Sequence, residues 1–109
     1  MTFLVAAKHG LNGLTKVIGL ETAGSGITCN ALCPGWVHTE LVQKQIDVLA
    51  QNQSISLEEA TKLLLSAKEP SMQFTTPKDI GEMVVFLCSV AGGNMTGGEI
   101  PMDGGWAAQ

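Results

Sequence analysis

The chain has 109 residues, of which 45% are hydrophobic and 15% charged, and a net charge of −4. Its six cations are the scattered lysines 8, 16, 44, 62, 68 and 78, which excludes the clustered basic surface that nucleic-acid phosphates require. No run approaches the ~20 apolar residues of a membrane span, and Met1–Ala7 lacks the charged start and cleavage site of a signal peptide.

A cytoplasmic chain is therefore expected. The three cysteines, Cys29, Cys33 and Cys88, are odd in number and have no metal-type spacing, so no metal site is expected, and Cys29 and Cys33, on one strand face, read as small buried thiols of a reducing compartment. Thirteen glycines and two tryptophans in defined places argue against low complexity. The apolar surplus is large for one small domain, which implies surface meant to pack on something else.

Leu4, Ala7, Leu11, Leu14 and Ile18 recur at helical steps, so the first element is predicted as a helix that starts without a cap and ends near Gly24. Gly10 and Gly13 interrupt it, a composition that suits close approach of another helix. Ile27–Cys33 reads as a short strand with both faces partly apolar, as in a parallel sheet, and Pro34-Gly35 ends it.

Residues 40–51 form a second helical pattern with Leu41, Val42, Ile46 and Leu49 on one side. Ser56-Leu57-Glu58-Glu59 is a capping box that opens a helix running to about Lys68. Thr76-Pro77-Lys78-Asp79 starts the next helix: Thr76 caps, Pro77 needs no amide there, and Asp79 faces the positive end of the dipole. Ile80, Met83, Val84 and Leu87 carry its apolar face, with Gly92-Gly93 as its end. Glu99–Asp103 is a last strand, placed at a sheet edge by Pro101. Two short strands need further sheet partners, which this chain does not contain.

Four motifs in order carry a resemblance. They are Val5-Ala6-Ala7-Lys8-His9-Gly10-Leu11, Asn30-Ala31-Leu32-Cys33-Pro34-Gly35-Trp36-Val37-His38-Thr39, Thr75-Thr76-Pro77-Lys78-Asp79-Ile80-Gly81, and Thr96-Gly97-Gly98-Glu99-Ile100-Pro101-Met102-Asp103-Gly104-Gly105. Together they resemble the C-terminal part of the short-chain dehydrogenase/reductase family. Pro34-Gly35-Trp36, Gln45, Lys68-Glu69-Pro70-Ser71 and Gly104-Gly105-Trp106 are similar to the 3-hydroxybutyrate dehydrogenases within it. The resemblance implies an α/β fold, the C-terminal portion of a Rossmann-like doubly wound parallel sheet. It would span residues 1–109, with a substrate loop at about 36–75 and the N-terminal dinucleotide-binding half absent.

The resemblance also implies site residues. Lys8 matches the lysine of the family's Tyr-x-x-x-Lys motif. Pro34, Gly35, Val37 and Thr39 match the loop that covers the nicotinamide of NAD, with Val37 offering its backbone and Thr39 its hydroxyl. Trp36, Gln45 and Trp106 match the substrate pocket, where amide and indole donors suit a small carboxylate. The family's acid/base is a tyrosine, a phenol that titrates near about pH 10 until a lysine ammonium lowers it. Here that position is Leu4, and the chain has no tyrosine.

The catalytic serine and the Gly-rich phosphate turn would lie upstream of Met1. The expectation is thus an NAD-dependent oxidoreductase fragment, inactive alone, whose complete enzyme interconverts (R)-3-hydroxybutyrate and acetoacetate as a homotetramer. The alternatives are a truncated chain that acts by associating with intact subunits, and a dehydrogenase of another substrate. His9 and His38 read as solvated, and Glu58, Glu59, Glu69 and Asp79 as caps and solvated faces.

Overall fold

The first apolar stripe folds as helix α1 (Thr2–Glu21) in the computed structural model, which describes residues 1–109. No side chain caps its N-terminus. It stops three residues before Gly24, where the bonds tighten to three-residue turns: the amide of Ala23 donates to the carbonyl of Leu20 at 3.3 Å and that of Ser25 to Thr22 at 3.0 Å. Only Thr15 and Gly19 of α1 are buried, while Leu4, Leu11 and Leu14 are exposed.

Gly10 and Gly13 have no heavy atom of this chain within 4 Å of where a Cβ would stand, so they serve no close approach within it. Gly19 does, since a Cβ there would lie 2.7 Å from the amide nitrogen of Gly97. Strand β1 covers Ala31–Pro34, not the whole of the expected Ile27–Cys33. Upstream the amide of Gly97 still donates to the Cys29 carbonyl at 2.6 Å, but side chains take the neighbouring bonds. The amide of Cys29 donates to Thr96 Oγ1 at 3.1 Å, and the Asn30 side chain bonds the Met95 carbonyl and the Gly98 amide.

β1 pairs with β2 (Glu99–Met102) in a two-stranded sheet. The register is parallel, rising on both strands: Ala31 donates to the carbonyl of Gly98 at 2.9 Å and Gly35 to that of Met102 at 3.0 Å. Both strands are edges, which is where Pro101 is tolerated. The chain divides into two compact units, Met1–Leu32 with Glu82–Ile100 and Cys33–Gly81 with Pro101–Gln109.

The second unit holds the core. Helix α2 (Glu40–Gln53) packs on α3 (Leu57–Ser66) through Val42, Ile46, Ala50 and Ala60, flanked by Trp36, Leu49, Ile55, Leu64 and Phe74. The buried stripe of α2 advances by four residues, which turns Leu41 out to 68% exposure, contrary to its expected inward place. Ser56 and Glu59 make both bonds of the capping box. α3 ends at Ser66, short of Lys68, because the amides of Lys68 and Glu69 both return to the Leu65 carbonyl.

Helix α4 (Pro77–Leu87) opens with Thr76 and Asp79 exchanging amide and side-chain bonds at 2.7 and 3.1 Å. It stops at Leu87 instead of Gly92-Gly93; Ser89 then closes a turn into a 3₁₀ segment, Ala91–Asn94. None of its residues is fully buried: Ile80, Met83 and Leu87 are half-buried, and Val84, expected on the same face, is exposed. No helix is long and apolar enough to cross a membrane.

Candidate functional site

At the end of β1 the chain enters Pro34-Gly35-Trp36, and at the end of β2 it enters Asp103-Gly104-Gly105-Trp106. Both turns open on one hollow of about 390 Å³, lined by Cys33, Pro34, Gly35, Trp36, Lys68, Asp103 and Trp106. Four of the sequence-predicted site residues, Pro34, Gly35, Trp36 and Trp106, therefore meet at one place.

Each wall is fixed by local chemistry. Asp103 accepts from the amides of Gly105 (3.1 Å) and Ala107 (2.9 Å), which winds the last residues into the 3₁₀ turn Trp106–Ala108. Gly104 and Gly105 sit at φ 59° and 93°, a region where a side chain is strained. On the other wall the Trp36 carbonyl accepts from the amide of Thr75 at 3.0 Å, and the Thr75 hydroxyl donates to the Met102 carbonyl at 2.9 Å. The indole Nε1 of Trp36 is buried without a partner. Such a donor gains free energy from an acceptor that reaches it.

Val37 forms a parallel bridge with Thr75. The bonds of that bridge run through the Trp36 carbonyl and the His38 amide, so the peptide groups of Val37 itself face away from Thr75. Thr39 caps α2, its Oγ1 accepting from Val42 at 3.4 Å, and its O–H remains available as a donor. This donor and acceptor set fits a carboxamide.

Gln45 is not at this hollow. It is exposed on α2 and lines a separate apolar groove with Leu41, Lys44, Val48, Leu49, Asn52 and Leu64. Lys8 lies on α1 in the first unit, exposed, one turn beyond Leu4. His38 Nε2 pairs with Gln43 Oε1 at 3.0 Å and its ring stacks on Phe74. His9 Nδ1 pairs with the Val5 carbonyl at 2.9 Å.

Three further residues at the hollow belong to the quoted motifs but carry no site role in the sequence reading. Lys68 and Asp103 line it. Glu69 stands beside it and is only 1% exposed, which corrects its expected place on a solvated face. Its Oε1 accepts from the amide of Trp36, and its Oε2 is buried without a partner. The other three carboxylates do behave as expected. The hydrogen bond from Lys62 holds Glu58 below the usual carboxylate range and raises Lys62. Bonds from Ser56 and Thr76 do the same for Glu59 and Asp79.

A family profile described as enoyl-(acyl carrier protein) reductase matches residues 2–107. The chain is 53% identical over 105 residues to a D-beta-hydroxybutyrate dehydrogenase of Cupriavidus necator, and 41% identical over 105 residues to one of Rhizobium meliloti. Each alignment covers 96% of this chain and 41% of the relative, so the chain spans about two-fifths of the length of these curated relatives.

Among solved structures, a short chain dehydrogenase family protein from Francisella tularensis superposes with a TM-score of 0.81 at 38% identity, covering 95% of this chain and 43% of that one. An actinorhodin polyketide ketoreductase with NADPH gives a TM-score of 0.77 at 35% identity, covering 95% and 40%. A 4-hydroxyisoleucine dehydrogenase complexed with NADH gives 0.75 at 30% identity, covering 96% and 39%.

Proposed function

Because the chain belongs to the short-chain dehydrogenase/reductase family, and within it is similar to D-beta-hydroxybutyrate dehydrogenases, we propose that it supplies the substrate-side wall of an NAD-dependent oxidoreductase. Its substrate is a small hydroxy acid, (R)-3-hydroxybutyrate, and its product acetoacetate. The observation that carries this reading is the meeting of Trp36 and Trp106 at one hollow. Two apolar rings leave room for a short acyl chain. The unpaired indole N–H of Trp36 has an acceptor to gain from a carboxylate.

When bound, the nicotinamide group supplies hydride transfer. The residues of this chain that would hold it are Val37 by its outward peptide groups, Thr39 by its hydroxyl, the Pro34-Gly35 turn, and Lys8. Lys8 is also the one catalytic residue carried over from the family's motif, and it lacks its phenol. Leu4 cannot take or give a proton, so on this reading the chain does not turn over by itself. Gln45 is assigned to substrate binding by resemblance. Gln45→Ala in an active complete enzyme should raise KM for hydroxybutyrate; unchanged kinetics would remove that assignment and favour another substrate.

The test joins this chain to the upstream part of the C. necator relative, with and without Leu4→Tyr. The fusion carrying Leu4→Tyr should reduce NAD with (R)-3-hydroxybutyrate, and the fusion with Leu4 should not, a loss of at least 10²-fold for a missing general acid/base. Activity with NADP and not NAD would overturn the cofactor choice. No activity with hydroxybutyrate from a fusion that still binds NADH would overturn the substrate.

A second reading has its own observation. Leu4, Leu11 and Leu14 share one face of α1 and are exposed, a face suited to burial against other subunits of a homotetramer. On that reading the chain acts by joining intact dehydrogenase subunits. Co-elution with the C. necator enzyme in size-exclusion chromatography would support it, and a monomer that ignores the intact enzyme would end it.

A further inference from the structure

Glu69 is the one ionisable side chain buried in this molecule, and nothing in the proposed chemistry uses it. A carboxyl group is an expensive filling for such a place, because burial removes its water and only well-made bonds replace it. Here one oxygen is bonded and the other is not, and no ion pair reaches it, since the salt bridges of the chain are Lys16–Glu99 and Lys62–Glu58. A position selected for stability alone would hold an apolar residue.

The surroundings say what the group does. Oε1 accepts from the amide of Trp36, whose carbonyl is held in turn by Thr75. Both peptide groups flanking the Trp36 Cα are thus clamped. A Cβ on Gly35 would collide with the Glu69 carboxyl group, and a Cβ on Gly104 would stand 2.5 Å from Oε2. The amide of Ser71 donates to the Gly104 carbonyl at 3.0 Å, and a Cβ on Gly105 would lie 4.0 Å from Pro70. The segment Glu69-Pro70-Ser71 therefore bonds the turn after β1 and the turn after β2. These are the turns that carry Trp36 and Trp106.

We propose that Glu69 is a positioning residue: its buried carboxyl group, wedged between Gly35 and Gly104, sets the separation of Trp36 and Trp106 and so the width of the hollow between them. What the hollow admits rests on the function proposed above; the spacer role does not. In terms of that function, Glu69 would decide the length of acyl chain accepted without touching it. The acceptor oxygen matters and the charge does not, so glutamine, which keeps an oxygen and the shape, should serve in its place.

The chain has two tryptophans and no tyrosine, so its intrinsic emission comes from this hollow alone. The experiment compares the full 109-residue chain with Glu69→Gln and Glu69→Ala, by emission maximum, acrylamide quenching and far-UV circular dichroism. Expected is wild-type emission for Glu69→Gln. For Glu69→Ala a red shift and at least doubled quenching are expected, with the helical signal retained in both.

Unmoved emission in Glu69→Ala would overturn the proposal, as would tryptophans already emitting as in water in the unsubstituted chain. Loss of helix in Glu69→Ala would overturn it differently, by making Glu69 a general folding residue. Failure of Glu69→Gln to match the wild type would show that charge and not the acceptor is what counts, which also contradicts it. None of these readings requires turnover, so an inactive fusion bears on the function proposed above and leaves this test intact.

Discussion

Helices α1 and α2 carry apolar residues at the same helical spacing, yet α1 buries only Thr15 and Gly19 in 20 residues while α2 buries Val42, Ile46 and Ala50 in 14. The difference lies in what the chain supplies as a partner. Ser54, at φ 54°, and the capping box at Ser56 turn α3 onto α2 within three residues, so the second helix of the pair is always at hand. The stripe of α1 finds no such neighbour, and Leu11 and Leu14 stay 52% and 53% exposed. An amphipathic pattern states that a face is meant to be covered; only the adjoining sequence says by what.

The sharpest way to break this comparison is to cut the same kind of side chain from each helix. Ile46→Ala, at a site 2% exposed, should cost ~3 kcal/mol in a urea titration, as buried isoleucines do. Leu14→Ala, on the exposed stripe of α1, should stay within about 0.5 kcal/mol. Equal effects would mean that α1 is covered in solution. The glycines of α1 give the next test. Gly19→Ala would drive a methyl onto the backbone of Gly97 and should cost about 1–3 kcal/mol. Gly10→Ala, which meets nothing, should instead raise stability by ~0.8 kcal/mol through helix propensity.

The smallest effects belong to the caps. Ser56→Ala should cost about 1 kcal/mol at neutral pH. The pKa values of Glu59 and Asp79 are lowered in the fold by their Ser56 and Thr76 bonds, so each group stabilises the fold above its unfolded pKa. That contribution is lost as pH falls through the folded one. Melting curves between pH 7 and pH 3 should therefore decline in the acid limb, and Ser56→Ala should flatten the part due to Glu59. A decline that Ser56→Ala leaves unchanged would assign the loss to other carboxylates.

These caps were legible because every partner lies three residues away: Ser56 with Glu59, Thr76 with Asp79. The four family motifs were legible for the same reason, as contiguous strings. What the sequence hides is contact between distant strings. Leu41 and Val42 are equally apolar neighbours, and only the packing direction of α3 decides that Val42 goes inward. The late start of β1 goes with Asn30 and Thr96 side chains taking the amides of Gly98 and Cys29. Glu69 follows a lysine at a helix end, an ordinary surface context. Its burial requires Gly35 and Gly104, each more than thirty residues away.

The wet face of α1 also bears on how the chain would come apart. Denaturants act in proportion to the surface that unfolding newly exposes, and the heat-capacity change follows the same area. A helix whose leucines already face water has little left to expose. Its melting should be broad, shallow in its urea dependence and nearly without a heat-capacity step, whereas the α2–α3 pair should yield over a narrow range. A second helix seated on that face would steepen the α1 transition and leave the other untouched.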